Sequence, residues 1–272
     1  MQPTTRSALF VPGNRPERFA KALATEADAV IIDLEDAVPQ DAKLEAREHL
    51  SRFAAEQPDA RFLVRTNAAD TPWFEGDLEL CKSIPGIEGV VLPKAESAEQ
   101  IARVRQVTGK AVIPIVESAK GVLAIEALAQ AEGVQRLAFG YLDLMLDTGT
   151  RPDTAGARLL LDHIRCRLLL GSAAAGIQPP LDGVHPDFRD ADTLAAIATQ
   201  VRDMGFAGVL CIHPAQVSVV HAAFAPSEQE REWAKRVVGE HERTGSAAFQ
   251  LDGKMVDAPV IERARRILAL AG

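Results

Sequence analysis

Short apolar runs that alternate with helical patterns constrain the fold of this chain more than any other feature. Segments between the runs, such as SAEQIARVRQVTG and DADTLAAIATQVRDMG, carry apolar residues at helical spacing. Strands that alternate with helices form parallel sheets whose strands are buried on both faces. Because there are eight such runs, we predict an α/β fold, a (β/α)8 TIM barrel. The runs span 7–12, 29–36, 61–67, 89–94, 111–118, 136–143, 179–185 and 206–214.

An open, doubly wound sheet is the alternative arrangement of the same elements. That fold usually carries a glycine-rich phosphate loop directly after its first strand. The segment after the first run reads PGNRPER, which lacks that glycine spacing. A chain of 272 residues is also a common length for one α/β barrel. The barrel is therefore the favoured prediction.

About fifty residues follow the eighth run, which is more than closing a barrel requires. They contain two helical patterns, SEQEREWAKRVVGEHERTG and APVIERARRILALAG, joined by a polar connection with a predicted turn at Asp252-Gly253. We predict a catalytic barrel over 1–222 and a C-terminal helical extension over 223–272. The extension is expected to cover the barrel or to contribute to a neighbouring subunit.

Composition excludes several classes of protein. The chain has 30 basic and 38 acidic residues and a net charge of −8, which argues against nucleic-acid or anionic-membrane partners. Its three cysteines, Cys81, Cys166 and Cys211, are widely spaced, so zinc sites and disulfides are not expected. The first residues lack a signal-peptide core, and no apolar run approaches the roughly 18 residues of a membrane span. We expect a cytoplasmic protein.

Two acids follow successive strands of one predicted strand–helix–strand unit, 111–147. Glu117 follows VIPIV, and Asp143 follows LAFGYL. Parallel strands end at the same edge of a sheet, so the two carboxylates are expected to lie side by side. Carboxylate oxygens suit a hard cation such as Mg²⁺, which leaves further positions for water and substrate. The alternative is that each acid only caps the helix that follows it.

Other polar side chains are predicted at the same edge. Arg65 could bind a substrate carboxylate through both oxygens, or it could form an ion pair with the second-strand acids. Lys94 could form an imine with a carbonyl substrate. His213 could donate to a substrate carbonyl or serve its own loop. The second-strand acids, which could bind metal-bound water or form salt bridges, are Asp33, Glu35 and Asp36.

Asp257 lies in the extension, two residues before Pro259 in MVDAPVIERA. An acid at this position is typical of a helix N-cap. The residues alone therefore favour a structural role for Asp257.

Several motifs together resemble the citrate lyase beta subunit-like branch of the HpcH/HpaI aldolase family. They occur in the family's order over almost the whole chain, so that eight weak motifs form one specific pattern. The motifs are SALFVPGNRPERFAKA, VIIDLEDAV, VRTN with TPWFEGDL, VVLPKAES, VESAKG, LAFGYLDLMLDTG, CIHPAQ and LDGKMVDAP.

This resemblance implies a (β/α)8 barrel, usually trimeric, that cleaves or forms a carbon–carbon bond in a 3-hydroxyacyl thioester. By motif, Glu117 and Asp143 would be the Mg²⁺ ligands, and Arg65 would bind the carboxylate of the α-keto acid. Asp257 would be the catalytic acid and would reach the active site of an adjacent subunit, which replaces its N-cap interpretation. The family does not use Lys94 as an imine-forming lysine. Positions that match contacts to the thioester cofactor or substrate are Phe10, Lys21, Ile212 and His213.

Two departures from the family pattern stand near the predicted metal ligands. The fifth-strand motif reads ESA where ETA is commoner, and Tyr141-Leu142 replace residues that are often smaller or polar. Tyr141 is therefore expected to narrow the pocket and to influence substrate choice.

The resemblance implies a homotrimeric, Mg²⁺-dependent lyase acting on malyl-CoA, citramalyl-CoA or a citryl-type thioester. A malyl-CoA thioesterase or a malate synthase-like enzyme would use the same site. A third possibility is a citrate lyase beta subunit that receives its substrate from an acyl carrier protein. The LDGKMVDAP motif favours free CoA esters, because it matches the self-sufficient lyases.

Overall fold

The computed structural model describes residues 5–270 and contains a closed barrel of eight parallel strands. Each strand pairs with its neighbour in chain order, and β1 pairs with β8 to close the barrel, with Ser7 opposite Val209. The predicted (β/α)8 fold is confirmed. The strands are β1 (Ser7–Pro12), β2 (Ala29–Asp33), β3 (Phe62–Arg65), β4 (Ile87–Leu92), β5 (Ala111–Val116), β6 (Ala138–Phe139), β7 (Leu181–Asp182) and β8 (Gly208–Cys211).

Helices connect the strands and form the outer layer. Their buried faces pack on the sheet through apolar side chains. Phe53 of α2 contacts the rings of Phe19 of α1 and of Phe62 of β3. The helices are α1 (Phe19–Leu23), α2 (Lys43–Glu56), α3 (Phe74–Ser83), α4 (Ala98–Thr108), α5 (Ala119–Leu123), α6 (Ile125–Gln130), α7 (Tyr141–Thr148), α8 (Ala155–Ala175), α9 (Ala191–Met204) and α10 (Pro214–Phe224).

The barrel interior is filled by small and branched side chains from the strands. This packing leaves the polar residues of the strands to collect at the carboxyl edge. The interior cluster includes Ala8, Ile31, Val91, Ile113, Ile115, Ala138, Leu181 and Leu210.

Seven of the eight barrel strands end earlier than the apolar runs suggest, and β2 and β6 illustrate two reasons. After β2, the Asp33 side chain accepts hydrogen bonds from the backbone N–H groups of Glu35 (2.9 Å) and Ala37 (3.1 Å), which turn the chain out of the sheet. The sixth run, 136–143, contains only a two-residue strand, because the backbone enters α7 directly after Gly140. Asp143 therefore lies in the first turn of a helix and not at a strand end as expected.

The described chain divides into two compact units that meet in sequence at Ala223 and Phe224. The second unit contains α11 (Glu228–Thr244), a hairpin of β9 (Phe249–Leu251) and β10 (Lys254–Val256), and α12 (Ala258–Leu270). It has its own apolar cluster, which includes Ala234, Val237, Val256, Ile261 and Ala264.

The hairpin corrects the expectation of a polar connection between two helices. Asp252 and Gly253 form its two-residue turn with φ values of 51° and 77°. Two consecutive positive φ angles are typical of the type I′ turn, for which Asp-Gly is a favoured pair. The predicted turn is confirmed, whereas β9 and β10 on either side of it were not predicted.

None of the helices formed by residues 5–270 combines the length and apolar character needed to cross a bilayer.

Candidate active site

A cavity of about 380 Å³ opens at the carboxyl ends of the barrel strands. Its lining comes from residues at or just after the ends of several strands, which is where barrel folds place their ligand-binding groups. The lining residues are Phe10, Pro12, Asp33, Asp36, Ala37, Arg65, Ile115, Glu117, Phe139, Gly140, Tyr141, Leu142, Asp143, Val184, Leu210 and Ile212.

The structure brings five of the eight predicted site residues into this lining: Phe10, Arg65, Glu117, Asp143 and Ile212. Lys21 is exposed on α1 and does not line the cavity. His213 adjoins Ile212, but its ring stacks on Phe188 with centroids 4.4 Å apart.

Asp257 belongs to the second unit and directly precedes α12. Its Oδ1 accepts a hydrogen bond from the Val260 N–H at 3.5 Å, and its backbone carbonyl accepts one from Ile261 at 3.0 Å. These contacts are those of the N-cap that the residues alone favoured.

Arg65 forms a nearly enclosed ion pair with the acids of the second strand. Its Nε and Nη2 each donate to a carboxylate oxygen of Asp33 at 2.7 Å, and its Nη1 lies 3.0 Å from Glu35 Oε2. The guanidinium also lies over the Phe10 ring, 4.7 Å from its centroid. Burial opposes the charge on Arg65, but the Asp33 and Glu35 carboxylates outweigh it and raise the pKa of the guanidinium.

The structure therefore contains the ion pair that was the alternative role for Arg65. This ion pair does not occupy all the N–H groups of the guanidinium. A guanidinium has five N–H groups, and the two hydrogen bonds to Asp33 occupy one edge of the fork. Glu35 faces one N–H group of Nη1, so two of the five N–H groups remain for one further carboxylate.

Lys94 extends this charged cluster. Its Nζ donates to Glu35 Oε1 at 2.6 Å, and its backbone N–H donates to Glu117 Oε1 at 2.7 Å. Burial lowers the pKa of the ammonium, but the hydrogen bond to Glu35 and the negative charges of Glu35, Asp36 and Glu117 together outweigh burial and raise the pKa. Because imine formation needs a neutral amine, this environment is unfavourable for the imine chemistry considered for Lys94.

Glu117 is a buried carboxylate, only 4% exposed, directly after β5. Gly140 packs against it so closely that a Cβ at position 140 would overlap with the Glu117 side chain. Burial, together with the negative charges of Glu35 and Asp143, raises the pKa of Glu117 to about 8. Within residues 5–270, no side-chain nitrogen of Lys, Arg or His lies within 4.0 Å of the side-chain oxygens of Glu117 or Asp143.

The capping alternative for the two acids is not what the structure contains. Ser118 caps α5 by accepting the Gly121 N–H at 3.0 Å, so Glu117 is not needed for that purpose. The N-cap of α7 is Gly140, and Asp143 follows it in the first turn. Asp147 of α7 accepts the Ala119 N–H at 2.7 Å and so ties α7 to the start of α5.

These two carboxylates could hold a hard divalent cation. In the part of the chain that the structure describes, no group of three or more His, Cys, Asp or Glu side chains is arranged to bind a metal. Two carboxylates are nevertheless a sufficient protein contribution for Mg²⁺, which commonly keeps several waters or substrate oxygens as ligands. The uncompensated charge of Glu117 is the observation that fits such a cation.

An apolar wall completes the cavity and was largely absent from the sequence-based site. It includes Ile115, Phe139, Leu142, Val184 and Leu210. These residues belong to the same short apolar runs as the barrel core, and nothing in the runs distinguishes a cavity-facing side chain from a core one.

Tyr141 occupies a fixed position in that wall. Its hydroxyl donates to the Val184 carbonyl at 2.8 Å, and its ring packs against Phe139 with centroids 6.1 Å apart. Burial raises the pKa of the phenol to about 12.

The chain forms a closed parallel barrel that has buried carboxylates and an ion-paired arginine at its carboxyl edge. These features are typical of a ligand-binding barrel protein with a candidate cation site. Residues 6–214 match the family described as HpcH/HpaI aldolase/citrate lyase, and the chain belongs to this family.

Relatives and solved structures agree with this assignment. The chain is 38% identical over 267 residues to a citrate lyase subunit beta-like protein of Mycobacterium tuberculosis (strain ATCC 25618 / H37Rv), covering 97% of this chain and 94% of the relative. It is 36% identical over 280 residues to a (3S)-malyl-CoA thioesterase of Cereibacter sphaeroides (strain KD131 / KCTC 12085), covering 98% and 94%. A crystal structure of the M. tuberculosis protein CitE in complex with magnesium, acetoacetate and coenzyme A matches with a TM-score of 0.87 at 36% identity, covering 100% of both chains.

Proposed function

We propose that this protein is a Mg²⁺-dependent carbon–carbon lyase that cleaves a 3-hydroxyacyl-CoA to acetyl-CoA, or a related acyl-CoA, and an α-keto acid. The observation that carries the proposal is the uncompensated carboxylate of Glu117, beside Asp143 and Arg65 in one cavity. The similar CitE structure, which is described as a complex with magnesium, acetoacetate and coenzyme A, supports the choice of the metal and of a substrate that carries coenzyme A.

Glu117 and Asp143 would hold Mg²⁺ in this function. When bound, the cation would act as a Lewis acid that stabilises developing negative charge on the keto-acid oxygen. Gly140 leaves the space in which the Glu117 carboxylate can remain close to Asp143.

Arg65 would bind the carboxylate of the keto acid with the N–H groups that Asp33 and Glu35 leave free. Because Asp33 and Glu35 hold the guanidinium in place, the substrate would meet a donor group that is already oriented. Phe10 lies beneath this guanidinium. The apolar wall and Ile212 would exclude water from the acyl portion. Lys21 and His213, which do not line the cavity, would contact the longer cofactor portion of the thioester.

Asp257 would transfer the proton that completes the reaction. In the cleavage direction a base removes the 3-hydroxyl proton, the C2–C3 bond breaks, and its electron pair forms the enolate of the acyl-CoA. Asp257 would then protonate the enolate carbon, and in the synthetic direction it would remove the same proton. We propose, from the family resemblance, that Asp257 acts on the site of a neighbouring subunit in a homotrimer.

A thioesterase is the second candidate, because the relative named (3S)-malyl-CoA thioesterase is 36% identical over nearly the whole chain. In that reaction water would attack the thioester carbonyl, and the C2–C3 bond would remain intact. A citrate lyase subunit that depends on an acyl carrier protein is a third candidate.

A panel of CoA esters tests these functions. The purified protein would be incubated with Mg²⁺ and malyl-CoA, citramalyl-CoA or citryl-CoA, and keto acid and free CoA would be followed separately. We expect an α-keto acid and an acyl-CoA. Free CoA without keto acid would establish the thioesterase, and inactivity on every ester would favour the carrier-dependent subunit.

A further inference from the structure

Two neighbouring loops form one wall of the cavity. The β7 loop, defined here as residues 183–190, contributes Val184 to the lining. The β8 loop, defined as residues 212–213, contributes Ile212. The charged groups of the cavity lie elsewhere, on β2, on β3 and after β5 and β6. This wall would therefore contact the apolar and thioester portion of a substrate.

The side chain of Gln216 joins these two loops. Its Oε1 accepts hydrogen bonds from the backbone N–H groups of Ile212 at 2.8 Å and His213 at 3.2 Å. Its Nε2 donates to the backbone carbonyl of His185 at 2.8 Å. Because Gln216 is only 1% exposed, solvent competes weakly for these three hydrogen bonds.

A second contact ties the same loops together at the rim. The His213 ring stacks on Phe188 at an interplanar angle of 19°, and its Nδ1 accepts the Ala215 N–H at 3.1 Å. Phe188 is 41% exposed, so the stack alone is open to solvent and the buried amide of Gln216 is the stronger constraint.

We propose that Gln216 is a positioning residue that holds the β8 loop against the β7 loop and so shapes the wall for the thioester end of the substrate. This inference rests on the proposed function. Gln216 does not line the cavity, and it would act through Ile212 and His213. The residue belongs to the CIHPAQ motif, in which only Ile212 and His213 were assigned a role from the sequence.

Two substitutions separate the acceptor from the donor. Gln216→Met keeps the length of the side chain and loses all three hydrogen bonds. Gln216→Glu keeps the acceptor for the two N–H groups and, at a pH where it is ionised, loses the donor to His185. Because a buried N–H without a partner is costly, we expect Gln216→Met to raise the KM for the CoA ester roughly tenfold. The kcat should stay within about twofold, since the groups that carry the chemistry are unchanged. Gln216→Glu should raise KM by only about threefold.

Amide hydrogen exchange provides a measurement that does not depend on activity. The amides of Ile212 and His213 should lose protection in Gln216→Met and retain it in Gln216→Glu. Mg²⁺ affinity and inhibition by pyruvate should be unchanged in both variants. Gln200→Met, a change on the exposed face of α9, is the matched control and should alter none of these values.

An unchanged KM together with unchanged amide protection in Gln216→Met would overturn the proposal, as would equal losses of kcat and Mg²⁺ affinity, which indicate general destabilisation. If Gln216→Met does not fold, an unchanged KM in Gln216→Glu overturns it instead. A wild-type protein that is inactive on every ester but shows the expected exchange pattern would refute the proposed function and leave the coupling of the loops supported.

Discussion

The two sides of the cavity both carry buried acids, but they balance the negative charge differently. On the side of β2 to β4, Asp33 and Glu35 face Arg65 and Lys94 at 2.6–3.0 Å. On the side of β5 and β6, Glu117 and Asp143 have no cationic side chain within 4.0 Å in residues 5–270. The first side is a charge-compensated cluster, and on the second side the carboxyl groups lack a cationic partner among the described residues.

This difference separates a positioning role from a binding role. A buried ion pair contributes little net stability, but it holds its members in fixed positions. A buried carboxylate without a counter-ion is costly, and the pKa of about 8 for Glu117 reflects this cost. Perturbed groups of this kind are common at functional sites. We therefore propose that the compensated side orients the substrate and that the other side binds the cation.

Removing the charge of Glu117 should have the largest effect on activity. Glu117→Gln keeps the size of the side chain but removes a proposed metal ligand, and we expect Mg²⁺-dependent turnover to fall by roughly 10³-fold or more. Thermal stability without Mg²⁺ should be equal or higher above pH 8, where the Glu117 carboxylate is ionised without a counter-ion and the amide is not. Steady-state kinetics and thermal unfolding in chelator measure the two quantities. Retained Mg²⁺-dependent activity would refute the metal role of Glu117.

Neither side of the cavity supplies the proton for the enolate if Asp257 has the proposed role. If this is correct, Asp257→Ala should reduce turnover by ~10²–10⁴-fold, the usual contribution of a positioned acid or base. Binding of Mg²⁺ and keto acid, measured by calorimetry, should be preserved. Asp252→Ala, which alters the exposed hairpin turn of the same unit, is the control for local disruption. Unchanged turnover in Asp257→Ala would leave Asp257 with its N-cap role alone.

On the compensated side, a single change should cost stability. Asp33→Asn leaves the guanidinium of Arg65 with less of its counter-charge, and breaking a buried pair typically costs about 3–5 kcal/mol. Urea unfolding should detect this loss. Asp36→Asn is the matched control, because Asp36 is exposed and lies 3.7 Å from Arg65. If Asp33→Asn and Glu117→Gln change the free energy of unfolding equally, the distinction between the two sides is wrong.

The unpaired side should also respond to pH. Because the pKa of Glu117 is raised to about 8, the folded protein without Mg²⁺ binds a proton that the unfolded chain releases above its ordinary pKa of 4.5. The stability associated with this group is present below pH 4.5 and is lost as pH rises to about 8.

Mg²⁺ should remove this dependence, since the metal binds the deprotonated carboxylate. The apparent affinity for Mg²⁺ should weaken about tenfold for each pH unit below 8. Calorimetry in buffers of different ionisation enthalpy should detect about one proton released on binding at pH 7. Release of no proton in wild type would contradict the raised pKa, and Glu117→Gln should release none.

The barrel and the presence of Glu117 and Arg65 at one cavity could be predicted from the sequence, but the charge balance around them could not. Eight apolar runs were enough to identify all eight strands of the barrel, since a buried parallel strand needs a nearly continuous apolar segment. Glu117 and Arg65 follow or end such runs, so their presence in the cavity was predictable. Their difference in charge balance was not, because it depends on which acids lie within 4 Å of Arg65 across neighbouring strands.

Other features could not be obtained from spacing alone. The sixth run ends after two strand residues, so Asp143 reaches the cavity from a helix. The apolar wall is chemically the same as the core. Gln216 acts through backbone groups of two loops that are separated by a whole helix in sequence. These arrangements depend on tertiary contacts rather than on local pattern.

Substitution of Lys94 should have the smallest effect on turnover. It also tests whether the compensated side takes part in the chemistry or only orients the substrate. The Lys94 side chain is 45% exposed, and its partner Glu35 also faces Arg65, so Lys94→Gln should change turnover by about fivefold or less. An imine mechanism would instead require the amine absolutely. Borohydride treatment of wild type with pyruvate, followed by mass spectrometry, should yield no reduced adduct at Lys94. An adduct, or a loss of turnover comparable to that of Glu117→Gln, would mean that the charged cluster performs chemistry and does not only orient the substrate.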